Sequence, residues 1–450
     1  MAKIRTRFAP SPTGFLHIGG LRTALYSYAL AKHYKGDFLL RIEDTDKKRE
    51  VVGSKEKIQE TLKLFNLNWN GDLIIQSERV KQGLYKKAAE KLVQDGHAFY
   101  CQCKAKNAKE EGFSNQLRDP CRDKKLTSGA IKLKINDNEI ISFQDFVVNK
   151  KISWNTSTVS DTTLLKSDGF PTYHLAVVVD DSDMHVSHVL RGHDWMPSTP
   201  IHLLIYKYLN LKIPEIGHLT DILDPKGGKL SKRKGSVAVE KMLKEGYLAD
   251  AILNFIMLLG WAPKDNKELF TLDEFVKVFD EKGFQRSNPV FNREKLDWFN
   301  GIYLRNIEDN KLSEMVFKFL KEKYPKELII KTIPLVKERI NTLSDYWDLA
   351  SFFFEENKKE KKVDESLFGE SREKHLKVAF KVIDEIDDWN KELLNERLME
   401  EITKNEFKTG DFFMDLRIAI TGKKFTPPIN DSIFILGKNK SLERIKKYLK

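Results

Sequence analysis

The sequence predicts an α/β protein, in which a parallel sheet carrying a phosphate site is interrupted by an insertion and followed by a helical region. Three observations predict it. Residues 4–31 read as strand, rigid loop, glycine pair and helix. Asp37 to Ile42 reads as a second strand that ends in a carboxylate cluster. From residue 311 onward the apolar positions recur at helical spacing.

The first stretch organises the rest. Ile4 to Phe8 reads as a short buried strand, and Ala9-Pro10-Ser11-Pro12-Thr13-Gly14 is a run that neither helix nor strand tolerates. Leu16-His17-Ile18-Gly19-Gly20 then opens an amphipathic helix with Leu21, Ala24, Leu25, Tyr28 and Ala29 on one face. A helix start offers unpaired N–H groups and a partial positive charge, and glycines let a nucleotide approach the backbone. His17 sits at the mouth, where a ring N–H can reach a phosphate oxygen. Taken alone, His17 reads more readily as an ordinary polar residue at a helix end, because motifs this short recur by chance.

Composition narrows the class. The 450 residues, 41% hydrophobic and 32% charged, describe a globular chain with room for about two to four domains. No apolar run approaches the roughly 18 residues of a membrane span, and the N-terminus runs straight into the first strand. The chain is therefore expected in the cytoplasm. Three cysteines exclude a disulfide scaffold. A net charge of +11, from 77 Lys and Arg against 66 Asp and Glu, fits a polyanionic partner. A lysine-rich, AT-rich genome accounts for it equally well.

The second strand ends in Glu43-Asp44-Thr45-Asp46, where open α/β sheets bind ligands. Glu43 suits a substrate ammonium, and an acidic helix cap serves equally for Asp44 and Asp46. Residues 54–100 read as helices with short loops. Cys101, Cys103 and Cys121 then cluster, as a structural zinc site or as three reduced buried thiols. Residues 100–170 break the α/β rhythm: Ala130 to Ile135 and Glu139 to Phe143 alternate like strands about an Asn-Asp-Asn turn, within an insertion between two halves of the sheet.

The sheet resumes after Gly169-Phe170-Pro171-Thr172-Tyr173. Val186 to Leu190 reads as a buried strand ending in Arg191-Gly192-His193-Asp194-Trp195. An arginine there suits a bidentate grip on a carboxylate, or a structural salt bridge. Gly227-Gly228-Lys229-Leu230-Ser231-Lys232-Arg233-Lys234-Gly235 is a glycine-flanked lysine loop, suited to charge developing on a triphosphate; most bare lysine runs are solvated surface. Further on, Leu312, Met315, Val316, Phe319 and Leu320 form one apolar face and Leu376, Ala379, Phe380 and Ile383 another, with Asn357 to Lys362 as a solvated loop.

Arg7 through Gly20 resembles the HIGH-type signature of class I aminoacyl-tRNA synthetases, in the form of the bacterial glutamyl-tRNA synthetases. His17 to Gly20 falls on the tetrad, with Gly20 where many relatives carry a second His. The lysine loop resembles the KMSKS-type motif. Arg41-Ile42-Glu43-Asp44-Thr45-Asp46 and Ser11-Pro12-Thr13 follow the glutamyl form, whereas glutaminyl relatives carry other strings at both places. The resemblance covers nearly the whole chain, strongly to residue 300 and loosely beyond.

It implies a Rossmann-type parallel-sheet catalytic domain in two halves, 1–98 and 171–240, around an inserted acceptor-binding domain, 99–170. An all-α stem-contact domain, 241–310, and an anticodon-binding domain, 311–450, follow. The implied activity is glutamate–tRNA ligation by a monomer, with ATP and Mg²⁺, and with tRNA(Glu) and L-glutamate as partners. The implied catalytic set is His17, Gly19, Gly20, Lys229, Ser231 and Lys232, and the glutamate pocket is Arg7, Ala9, Ser11, Glu43, Tyr173 and Arg191. ATP contacts fall on Pro10, His17, Gly20, Asp194 and Lys232. Some relatives hold zinc with Cys-x-Cys and a later Cys-x-His; here Asp123 stands for that His, beside Cys101, Cys103 and Cys121. A glutaminyl enzyme is disfavoured by the two strings, and a queuosine-modifying paralogue by the long helical C-terminal region. A non-catalytic relative is disfavoured because His17 and the lysine loop both stand.

Overall fold

A computed structural model describes residues 3–104, 112–113, 116–230, 238–354 and 365–449. Lys232, Ser231 and the Asn357 to Lys362 stretch therefore lie outside the described residues. The chain divides into two compact units, residues 1–243 with 249–293, and residues 244–248 with 294–450. The 241–310 stretch is thus shared between them.

In the first unit, β1 (Arg5–Phe8) pairs in parallel with β2 (Asp37–Ile42), in the register Arg5 to Asp37 through Phe8 to Leu40. Between them runs α1 (Ile18–His33), whose Leu21, Ala24, Leu25, Tyr26 and Ala29 are fully buried. The return from helix to strand passes so close to β1 that a Cβ on Gly36 would stand 2.0 Å from the carbonyl oxygen of Ile4. Helices α2 (Ser54–Leu64), α3 (Gln76–Lys81) and α4 (Leu84–Gln94) follow, with the two-residue β3 (Ile74–Ile75) pairing in parallel with β2.

The 100–170 region does not form one separate sheet. β4 (Ala98–Cys101), β5 (Ala130–Leu133) and β8 (Thr163–Leu165) make an antiparallel sheet in the order β4-β5-β8. β6 (Ile140–Asp145) and β7 (Lys150–Asn155) form a hairpin that joins a different sheet. The expected turn is present, with Asn138 at φ 62°. The strands it connects nevertheless diverge, because β6 pairs with a strand beyond the insertion.

That strand is β10 (Glu215–Leu219), which lies in parallel between β6 and β9 (His188–Gly192). α5 (Tyr173–Asp183) and α6 (Thr199–Tyr208) connect and flank them. β9 begins two residues later than its apolar run suggests, since the Val186 N–H donates to the Asp181 carbonyl and closes the end of α5. β1 also lies against β9, where the Ser187 N–H donates to the Arg5 carbonyl at 2.9 Å. The carboxyl ends of β1, β2, β9 and β10 consequently open onto one edge.

The second unit is helical in its described residues. Leu312, Val316, Ile329, Ile333 and Tyr346 are fully buried in one cluster, and Leu376, Ala379, Ile383, Phe412, Leu416 and Ile433 in another. Both predicted apolar faces contribute. No helix among the described residues is long and apolar enough to cross a membrane.

Candidate active site

Strand ends in parallel sheets leave a crevice where connecting loops part. Here the crevice is a cleft of about 1160 Å³. It is lined by Arg7, Ala9, Pro10, Ser11, His17, Gly19, Gly20, Glu43, Tyr173, Arg191, Asp194 and Lys229. These sequence-predicted residues come from five stretches of the first unit, at 7–20, 43, 173, 191–194 and 229, on strand ends, helix starts and the loops between them.

At one end stands the start of α1. His17 is its N-cap, and its Nδ1 accepts the Gly20 N–H at 3.2 Å. An accepting Nδ1 carries no hydrogen, so the neutral ring holds its proton on Nε2. His17 therefore fixes the helix start as well as standing at its mouth. The glycines have steric reasons: a Cβ on Gly19 would stand 3.1 Å from the His17 ring, and one on Gly20 would stand 2.7 Å from Leu16 Cδ1.

The lysine loop is anchored at the same end. The Leu230 N–H donates to the Ile222 carbonyl at 2.8 Å before the 231–237 segment, and after it the Val239 N–H donates to the Leu16 carbonyl at 3.1 Å. Ala238 bridges His17. Lys229 pairs with Asp194 and, at 2.9 Å, with Asp221. Burial alone would lower the Lys229 pKa, but the hydrogen bonds to the two carboxylates outweigh it and raise it.

At the other end the charges are buried. Arg7 donates from Nε to Asp181 at 3.1 Å and from Nη1 to the Leu190 carbonyl at 3.2 Å. Arg41 donates to the same Asp181 at 2.6 Å and to Glu43 at 2.9 Å. Burial opposes ionisation of Asp181, yet Arg7 and Arg41 more than offset it and hold its carboxyl below the usual range. Burial pushes Glu43 upward against the pull of Arg41. Arg191 is held by His218, His202 and Thr199 at 2.9, 2.9 and 2.8 Å. Tyr173 stacks on Trp195 with ring centroids 3.9 Å apart.

A third cluster lies apart from the cleft residues in sequence. Ligand atoms of Cys101, Cys103, Asp119 and Cys121 all fall within 4.8 Å of one another. Asp123 is not among them: it is exposed and pairs with Lys134 at 3.3 Å. The carboxylate of the group is Asp119, which the buried Lys132 on β5 holds at 2.8 Å. The sulfur atoms of Cys103 and Cys121 stand 3.3 Å apart.

Sequence reasoning missed Asp181, Arg41, His202, His218, Thr199 and Asp119. A signal existed for Asp181, since a carboxylate following Val177-Val178-Val179 is headed for an apolar interior and needs a cation. Phe15 and Trp195, 55% and 39% exposed, also line the cleft, and nothing in their sequence spacing marks them.

Known proteins similar to this chain fall in one family. Residues 3–298 match the family model for the catalytic domain of class I tRNA synthetases (E and Q), and residues 311–449 match an anticodon binding domain. A glutamate–tRNA ligase of Finegoldia magna is 37% identical, with 100% of each chain covered. Glutamate–tRNA ligase 2 of Thermoanaerobacter pseudethanolicus is 36% identical, over 99% of this chain and 98% of that one. The crystal structure of a glutamate tRNA ligase from Elizabethkingia meningosepticum, in complex with its amino acid, superposes with a TM-score of 0.84 at 32% identity, with 100% of each chain covered.

Proposed function

The chain belongs to the class I tRNA synthetases for glutamate and glutamine, and from that membership we propose that it is a glutamate–tRNA ligase that uses the cleft for both of its steps. One observation carries the reading: a buried arginine fork and a helix N-terminus line the same cleft, where an amino acid and a triphosphate can meet. Arg191, with Arg7 beside it, receives the side-chain carboxylate of glutamate. Glu43 faces the ammonium, and Tyr173, Ala9 and Ser11 close the pocket. His17 and the start of α1 hold phosphate oxygens, while Pro10, Gly20 and Asp194 frame the nucleotide.

The α-carboxylate of glutamate then attacks the α-phosphate, and pyrophosphate leaves. A ribose hydroxyl of the terminal adenosine of tRNA next takes the glutamyl group and releases AMP. Catalysis is orientation plus stabilisation of developing phosphate charge. Lys229 and Lys232 supply cations at the leaving pyrophosphate; Mg²⁺ accompanying ATP supplies more. We place the enzyme in the cytoplasm, acting as a monomer.

The cysteine cluster fits a structural zinc. Three thiolates and a carboxylate are a closed four-ligand set, and tetrahedral bonds of about 2.3 Å put sulfurs roughly 3.8 Å apart. Lys132 offsets one of the two excess negative charges. Metal analysis of protein purified without chelator is expected to find about one equivalent of zinc, lost in Asp119→Ala and kept in Asp123→Ala. Less than about a tenth of an equivalent in the parent would leave the thiols as packing.

Aminoacylation with purified tRNAs tests the function. Glutamate is expected on glutamate tRNA, in the presence of ATP. Charging of glutamine instead would overturn the reading.

A further inference from the structure

An arginine that selects a carboxylate must present its fork in one orientation. We propose that Asp145, on the hairpin strand β6, is a positioning residue that aims Arg191 by fixing the tautomer of His218. The inference rests on Arg191 receiving the glutamate carboxylate.

The three residues sit on three adjacent parallel strands. In the β9–β10 register His218 is opposite Arg191, and in the β10–β6 register Asp145 is opposite Ile216. His218 and Asp145 are fully buried, and Arg191 is 6% exposed. Water is thus not available to repair a mismatch.

A guanidinium has five N–H donors and no acceptor. Every atom that receives one of them must be an acceptor. Nε of Arg191 donates to His218 Nε2 at 2.9 Å, so that nitrogen carries no hydrogen. The neutral ring then holds its proton on Nδ1, which donates to Asp145 Oδ2 at 2.7 Å. A carboxylate is acceptor-only, so Asp145 admits no other arrangement. Nη1 donates to His202 Nδ1 and Nη2 to Thr199 Oγ1, which leaves one N–H on each terminal nitrogen for a carboxylate. His202 is aligned in the same way, since its Nε2 meets His174 Nδ1 at 3.1 Å. Burial holds His202 and His218 below their ordinary pKa, which keeps both rings neutral.

Asp145→Asn tests this role. Asp145 Oδ1 accepts the N–H groups of Val147 and Val148 at 3.0 and 3.2 Å and that of His218 at 3.4 Å, so an asparagine keeps its oxygen there and turns its NH₂ toward the His218 ring, and the His218 N–H gives up only its 3.2 Å contact with Oδ2. Nδ1 must then accept, the proton moves to Nε2, and it faces the Arg191 N–H. An unmatched buried donor pair of this kind corresponds to roughly a ten- to hundredfold loss.

The experiment is tRNA-dependent aminoacylation with glutamate and ATP varied separately. Asp145→Asn is expected to raise KM for glutamate on the order of tenfold or more, with KM for ATP within about twofold of the parent. His218→Gln opposite the native Asp145 turns its oxygen to the Arg191 N–H and its NH₂ to the carboxylate, so this single variant is expected to keep KM for glutamate near the parent. If Asp145→Asn melts below the assay temperature, the pair His218→Gln and His218→Leu carries the test, with glutamate KM near the parent for Gln and raised for Leu. Arg191→Lys is measured in parallel. If it keeps the parent kcat/KM for glutamate, the assignment of Arg191 to the carboxylate fails. If it is impaired while Asp145→Asn matches the parent, or Gln and Leu at 218 behave alike, the positioning role is overturned.

Discussion

The two ends of the cleft hold charge in opposite ways. At the end proposed for the amino acid Arg7, Arg41, Asp181 and Arg191 are nearly sealed from solvent, and each is committed to protein partners. At the phosphate end Lys229 is 47% exposed and pairs with the exposed Asp194 and the half-buried Asp221. Telling a carboxylate from an amide requires donors that cannot turn away, and a dry network holds them. Meeting charge that appears only in a transition state requires cations that can change partner, and exposed lysines do so at little cost. On the proposed function, recognition is built into the fold, and the phosphate cations are left to be recruited.

Four expected outcomes sharpen or break that contrast. The largest concerns Asp181, whose carboxylate joins Arg7 to Arg41. Asp181→Ala leaves two buried cations without their shared anion, and chemical denaturation is expected to show a loss of about 3–5 kcal/mol. A loss under about 1 kcal/mol would mean that the amino-acid end is not held by its charges. At the other end Lys232→Ala is expected to lower the rate of pyrophosphate exchange, measured with tRNA present, by about a hundredfold or more at unchanged melting temperature. A near-parental rate would remove the lysine loop from the chemistry.

The third outcome is a pH dependence. Burial, with Arg191 nearby, lowers His174 from 6.5 to about 4. The fold favours the neutral ring, so the contribution is complete above pH 6.5 and is lost as pH falls from there toward 4. Its slope approaches about 1.4 kcal/mol per pH unit, and His202 and His218 act in the same direction. Melting temperatures between pH 7.5 and 4.5 should fall less steeply for His174→Gln than for the parent; equal slopes would refute it. The smallest effect belongs to Asp221→Asn, which removes a half-exposed partner of Lys229 and is expected to cost no more than about 1 kcal/mol in the same denaturation assay. A larger loss would show the phosphate end to be prebuilt too.

Much of the site was legible because its parts are local. Ala9 to Gly20 is set by prolines, glycines and a helix start within a few residues of one another, and Glu43 and Arg191 follow apolar runs that end as strands end. Asp119 shows where locality stops. Asp119 and Asp123 each lie two residues from Cys121, on opposite sides, and spacing does not choose between them. Lys132, arriving on β5, holds Asp119 in the cluster, while Asp123 turns outward to Lys134.

By itself, then, the sequence determined the strands, the helix start, the glycine pair and the residues that reach the cleft, since near-neighbour sterics and periodicity decide these. Tertiary structure alone decided what those residues touch. Asp181 reaches Arg7 across 174 positions and Arg41 across 140, and Asp145 reaches His218 across 73. A buried charge or ring nitrogen must find a complementary partner wherever the folded chain supplies one, and that requirement leaves no spacing in the sequence to read.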